Sequence, residues 1–204
     1  MPEEERQIMP YAEARKGFKP GDPVLWEGDG LISKGISLVT GSRTTHVSML
    51  LDEIRAGDLR WLIMEAYEGG HGIMSGHVGD NFLSARAREY GGAVVWYPLL
   101  SSLDDYRPRI VEELWKLKDI PYDYEDLVSQ IAGRVEVGAD ALFCSEAAQV
   151  ALHRAIPREV LVNFPMTPEM WMLVNLRPAM QPRDFENLPI MDKGRVLTFE
   201  ERSA

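Results

Sequence analysis

Apolar positions change their period along this chain, and the change separates candidate strands from candidate helices. Over 45–51 polar and apolar residues alternate, and 60–67 is a nearly continuous apolar run with Glu65 inside it. Both patterns predict strands. A short strand is predicted at 23–26, after the turn signal Pro20-Gly21-Asp22, and another at 93–97, closed by Pro98. Helical spacing over 31–39 predicts a helix, ended by Gly41-Ser42-Arg43-Thr44. Gly57-Asp58 and Gly69-Gly70-His71-Gly72 read as connections. In the second half the period lengthens. Ile110, Leu114 and Leu117 form one apolar face of a helix over 104–118, and Leu127, Val128 and Ile131 do the same over 124–133. A small-residue helix runs from Cys144 to about Ala155, and Thr167-Pro168-Glu169 supplies a cap, a proline and an acid for a further helix start.

Strands first and helices second predict an α+β fold, an antiparallel sheet with helices packed at one side. Residues 1–19 read as a polar lead-in with a helical turn or two, 20–176 as the domain, and 177–204 as a proline- and charge-rich extension that wraps irregularly. A length of 204 residues suits one domain with a sizeable core. The net charge of −10 and the lack of a dense Lys/Arg cluster argue against nucleic acid as a partner. With one cysteine, no intramolecular disulfide forms. The acidic start lacks a signal-peptide pattern, and no apolar run nears the roughly 20 residues of a membrane span. The default location is the cytoplasm, with phage delivery or a non-classical release route as the other possibilities. The oligomeric state is not encoded in any pattern we find.

The lone cysteine carries the chemistry. An apolar approach, Ala141-Leu142-Phe143, delivers Cys144 to a helix start, where the positive end of the macrodipole favours a thiolate. His46 and Glu65 lie on the two strands 45–51 and 60–67. One hairpin register places His46 opposite Glu65, Ser48 opposite Ile63 and Leu50 opposite Trp61, with directly opposed Cβ atoms about 5 Å apart. A nucleophile, a base and an orienting carboxylate are the three parts of a thiol acyl-transfer site. Taken one at a time, each has a plainer explanation: a strand-edge histidine, a solvent-facing glutamate, a small buried hydrophobe.

Taken together, the segments Gly21-Asp22-Pro23-Val24-Leu25-Trp26, Leu31-Ile32-Ser33-Lys34, Gly41-Ser42-Arg43-Thr44-Thr45-His46-Val47 and Cys144-Ser145-Glu146 resemble the permuted NlpC/P60-type, papain-like cysteine hydrolases of the YiiX/YaeF-like branch. The resemblance covers about residues 20–155. It implies a histidine-first order of His46, Glu65 and Cys144, a circularly permuted papain-like fold, no cofactor, and cleavage of an amide or peptide bond through a thioester. Cys144 would be the nucleophile, His46 its base and Glu65 the group that orients His46. The backbone N–H of Cys144 is the natural oxyanion donor. Tyr122 resembles a pocket-lining tyrosine of the family, and Ser145 and Trp26 are further pocket candidates. Ser48 and Met49 stand where the family has a glycine and an aliphatic residue, and Ser48 would narrow the site. The segment 69–92 has no match.

Two other functions fit the same residues. An acyltransferase or lipid-ester hydrolase would use the same site on an acyl or lipid-like substrate, and a binding or structural module would keep the fold without activity. His71 and His77, with Glu68 and Asp80 nearby, are more readily loop residues than a metal site. The acid-rich start reads as a solvated face. Trp26, Trp61, Trp96, Trp115 and Trp171 read as core residues, with Trp26 near the site.

Overall fold

Seven strands form one sheet in the computed structural model, which describes residues 6–28, 42–56, 58–67, 76–121, 143–176 and 178–199. The strands are β1 (Gln7–Pro10), β2 (Pro23–Glu27), β3 (Thr44–Ala56), β4 (Asp58–Tyr67), β5 (His77–Phe82), β6 (Ala93–Trp96) and β7 (Arg195–Thr198). Their order is β1-β7-β6-β2-β3-β4-β5, antiparallel throughout except for the parallel pair β1–β7. The helices are α1 (Tyr11–Ala14), α2 (Leu83–Glu89), α3 (Arg107–Lys116), α4 (Cys144–Ala155), α5 (Arg158–Leu161) and α6 (Pro168–Asn175). Tighter 3-10 turns run over Ser101–Tyr106 and Pro182–Asn187. The class is α+β with a mixed seven-stranded sheet.

Alternation along the strands sorts side chains onto two faces. Leu25, Val47, Met49, Met64 and Val95 point to a large core shared with Ile110 and Leu114 of α3, Ala147 and Ala151 of α4, and Met170 and Leu173 of α6. Val24, Trp26, Leu50, Ile63 and Trp96 point to a second core with Ala14 of α1 and with Leu83 and Ala87 of α2. Helices therefore cover both faces, where the sequence pattern placed them on one. The second layer is built from short elements, four residues in α1 and seven in α2, too brief to show a helical period. The two chain ends also differ from expectation. β1 lies inside the supposed lead-in and β7 inside the supposed irregular wrap, and each completes the other's ladder.

The turn before β2 is held by a buried ion pair. Gly21 adopts φ 83°, a left-handed conformation that glycine takes without strain. Asp22 then turns inward, fully buried, and accepts hydrogen bonds from Arg107 at 2.7 Å, Leu99 N–H at 2.9 Å and Trp96 Nε1–H at 3.0 Å. One carboxylate thus ties the start of β2 to the end of β6 and the start of α3. The helices expected at 31–39 and 124–133 and the Gly69–Gly72 connection lie outside the described residues.

Candidate active site

His46 stands on β3 where Trp26 of β2 lies directly opposite it. A bulge follows, between Trp26 and Glu27, so Glu27 pairs with Thr44 and Thr45 is left over. The β3–β4 register differs from the expected one by two residues. Leu50 faces Ile63 where Trp61 was expected, and Met49 faces Met64. A slip of two keeps every side chain on its face, whereas a slip of one would have separated the pair. Glu65 therefore still shares a face with His46, and His46 Nε2 lies 2.7 Å from Glu65 Oε2.

Glu65 is fully enclosed, with no exposed side-chain surface. Three donors converge on it: His46, Asn81 Nδ2 at 3.0 Å from β5, and Arg86 Nε at 3.1 Å from α2. Burial pushes its pKa up, but hydrogen bonding and charge from His46, the charge of Arg86 and the Asn81 hydrogen bond outweigh burial and hold it below the usual glutamate value. Arg86 is itself stacked 5.8 Å over Trp26 and 5.6 Å over Tyr90, which fixes the guanidinium beside the carboxylate. Neither Asn81 nor Arg86 was singled out from the sequence, because both lie in the unmatched 69–92 segment.

Cys144 reaches His46 from the other core. It is the first residue of α4, which packs on β3 and β4. It is 6% exposed and belongs to the larger cluster, whereas Trp26 belongs to the smaller. The thiol of Cys144 is close enough to the imidazole to shift its charge equilibrium. Because Nε2 is held by Glu65, Nδ1 is the ring nitrogen left for the sulfur. Burial lowers the pKa of His46, but charge and hydrogen bonding from Cys144 and Glu65 more than reverse this and raise it from 6.5 to about 9. The imidazolium is thus the favoured form at neutral pH. The α4 start is held by Glu146, whose Oε2 accepts the Phe143 N–H at 3.2 Å. The Cys144 N–H lies in the first turn, where backbone donors have no acceptor inside the helix.

The other candidates take varied places. Trp26 is fully buried beneath His46, ring centroids 6.3 Å apart, and donates from Nε1 to Ser48 Oγ at 2.9 Å. Ser48 is therefore turned toward Trp26 and braces it. Ser145 is fully buried and its Oγ has no hydrogen-bond partner among the described residues. Tyr122, His71 and Glu68 lie outside the described residues. Asp80 is paired with Lys118 Nζ at 2.7 Å. Of the five tryptophans, Trp26, Trp61 and Trp96 are buried, but Trp115 and Trp171 are exposed, contrary to their reading as core. Both sit on short surface helices, where an apolar residue on the outer face is not distinguishable by spacing alone.

No known family profile matches the chain, and no curated protein matches it by sequence. Among solved structures, the chain is similar to one described as the metalloprotein YiiX from Escherichia coli O157:H7, DUF1105. The identity is 19% and the TM-score 0.51, over 87% of this chain and 88% of that one. A metal fits poorly at the site described above. Among the described residues no group of three His, Cys, Asp or Glu side chains is placed to hold one. The Glu65 oxygens are already taken by three donors, one of them the Arg86 guanidinium, whose charge would oppose a cation. The likeness bears on the fold, which is α+β and similar to that of YiiX.

Proposed function

We propose that this chain is a cysteine hydrolase of the permuted NlpC/P60, papain-like type, cleaving an amide or peptide bond through a thioester. The observation that carries the reading is the position of His46, hydrogen-bonded to Glu65 at 2.7 Å and within electrostatic reach of Cys144 at the start of α4. In the proposed cycle the Cys144 thiolate attacks the substrate carbonyl carbon, and the oxyanion is met by the Cys144 backbone N–H. His46 gives its proton to the leaving nitrogen as the C–N bond breaks, leaving an acyl thioester. Water then attacks the thioester, His46 takes its proton, and the C–S bond breaks to release the acid and restore the thiolate–imidazolium pair. Glu65 does not exchange protons in this scheme. It holds the ring in one orientation and favours the charged imidazolium.

Alkylation of Cys144 by iodoacetamide across pH tests this directly, since there is one cysteine to react. The expected profile is a reactive plateau that extends well below pH 7 and disappears in His46→Ala. A rate that rises only with an ordinary thiol titration near pH 8.5, or one that His46→Ala leaves unchanged, refutes the hydrolase and favours a binding module on the same fold.

A further inference from the structure

The far end of α4, about 16 Å from Cys144 at 1.5 Å per residue, opens on a concavity. A cavity of about 500 Å³ lies among α3, the last turn of α4, α5 and α6. Its floor is apolar: Ile156, Leu161 and Val174 line it and are buried. Its rim is basic. Arg109 comes from α3, His153 and Arg154 from α4, and Arg158 from α5, against the single carboxylate of Glu159. Acids outnumber bases 32 to 22 in the chain, yet no salt bridge holds any of these three arginines among the described residues. Glu112, which feels the charge of Arg109, is already bonded to Lys116 at 2.7 Å.

Three like charges around one hollow repel each other, a cost that an anion in the hollow would offset. The α4 dipole accounts for His153 and Arg154 in the last turn, but not for Arg109 and Arg158 arriving from two other helices. His153 Nδ1 lies 2.9 Å from Leu173 O and so donates to it, which fixes the ring against α6 and leaves the three arginines as the groups for an anion. From the end of α5 to α6 the chain carries exposed apolar side chains: Val162 just after α5 is 46% exposed, Met166 in the connection 49% and Trp171 on α6 52%. Trp171 precedes the lining residue Val174 by less than one turn of α6, so the exposed tryptophan adjoins the cavity. A basic hollow next to an exposed tryptophan and aliphatic side chains matches a membrane surface, with phosphate at headgroup depth and apolar groups just below.

We propose that this face docks on an anionic phospholipid surface, with a headgroup phosphate in the Arg109–Arg154–Arg158 hollow and Val162, Met166 and Trp171 seated among the lipids. The test is co-sedimentation with phosphatidylcholine–phosphatidylglycerol vesicles, using pure phosphatidylcholine vesicles and inorganic phosphate as the other arms. The chain should sediment with the anionic vesicles, fail to sediment with the neutral ones, and be released by salt. Arg154→Gln combined with Arg158→Gln should weaken partitioning about 30-fold, from roughly a fivefold loss per arginine. Both side chains are exposed, and a thermal melt checks that the variant is folded. No sedimentation with anionic vesicles overturns the proposal, and so does sedimentation that the double variant leaves unchanged. Binding of inorganic phosphate without binding of vesicles assigns the hollow to a soluble phosphate and overturns the membrane reading. The readout involves no Cys144 chemistry, so it stands or falls separately from the hydrolase proposal.

Discussion

His46 holds its proton because two groups on either side of it are anionic or hydrogen-bonded to it, and that makes a stability statement as well as a chemical one. A folded-state pKa of about 9 against 6.5 for a free imidazole means that the folded chain binds this proton more tightly than the unfolded chain. The stabilisation is therefore complete below about pH 6.5 and is lost as pH rises through about 9. NMR titration of the His46 ring should give a midpoint near 9 in the native chain, and Glu65→Gln should bring it down. An unshifted midpoint in Glu65→Gln would remove Glu65 from the site. Arg86 belongs to the same argument. It touches Glu65 and not the sulfur, so it is a positioning residue. Arg86→Gln should raise the Glu65 pKa and move the acid limb of the Cys144 alkylation profile upward, with a reactivity loss of about 10-fold, as for an outer-shell partner. An acid limb that stays in place would reduce Arg86 to packing. His46, Glu65 and Cys144 were legible because their residue types and order are distinctive. Arg86 and Asn81 were not, because an arginine and an asparagine in an unmatched segment give no signal until β5 and α2 bring them to Glu65.

Elements with a long, clean period were readable and short ones were not. The start and end of α4 at Cys144 and Ala155, and the Thr167 cap of α6, follow the sequence pattern, the Thr167 Oγ1 accepting the Met170 N–H at 3.2 Å. β5 was missed because His77-Val78-Gly79-Asp80-Asn81-Phe82 has turn residues where a strand usually has β-branched ones, and pairing with β4 overrides that local preference. Register, too, was out of reach. The bulge between Leu50 and Glu53 shifts the β3–β4 ladder, and nothing in an alternating pattern announces an extra residue. The joint between elements has its own weak point, the Asp22–Arg107 pair. Arg107→Met would leave the Asp22 carboxylate fully buried without its cation, and should cost about 3 kcal/mol or more in urea unfolding. Burial already pushes the Asp22 pKa upward and Arg107 opposes it, so Asp22→Asn in the Arg107→Met background should recover part of the loss. A loss under about 0.5 kcal/mol for Arg107→Met would mean that the pair is not a joint at all.

The chain closes on itself in space although its ends look expendable in sequence. β7 sits between β1 and β6, so a strand from residues 195–198 is interior to the sheet, and β1 becomes its edge. Arg6 extends this closure by pairing with Glu27 at the end of β2 and with Glu186 in the Pro182–Asn187 turn at 2.9 Å, while Thr44 Oγ1 donates to Glu186. Glu27 and Thr44 pair across the bulge two positions from His46, so the terminal segments brace the strands that carry the candidate site. Polar composition concealed this, because proline and charge density describe the surface of 177–204 and not the inward side chains Phe185, Ile190 and Leu197. Leu197 separates the two descriptions. It is 5% exposed, lies opposite Val94 of β6 and Met9 of β1, and belongs to the smaller core. An integral strand predicts a core-type loss of about 2 kcal/mol or more for Leu197→Ala. An irregular tail predicts less than about 0.5 kcal/mol. Urea denaturation of that one variant decides between them, and a tail-like result would detach the chain ends from the support of His46.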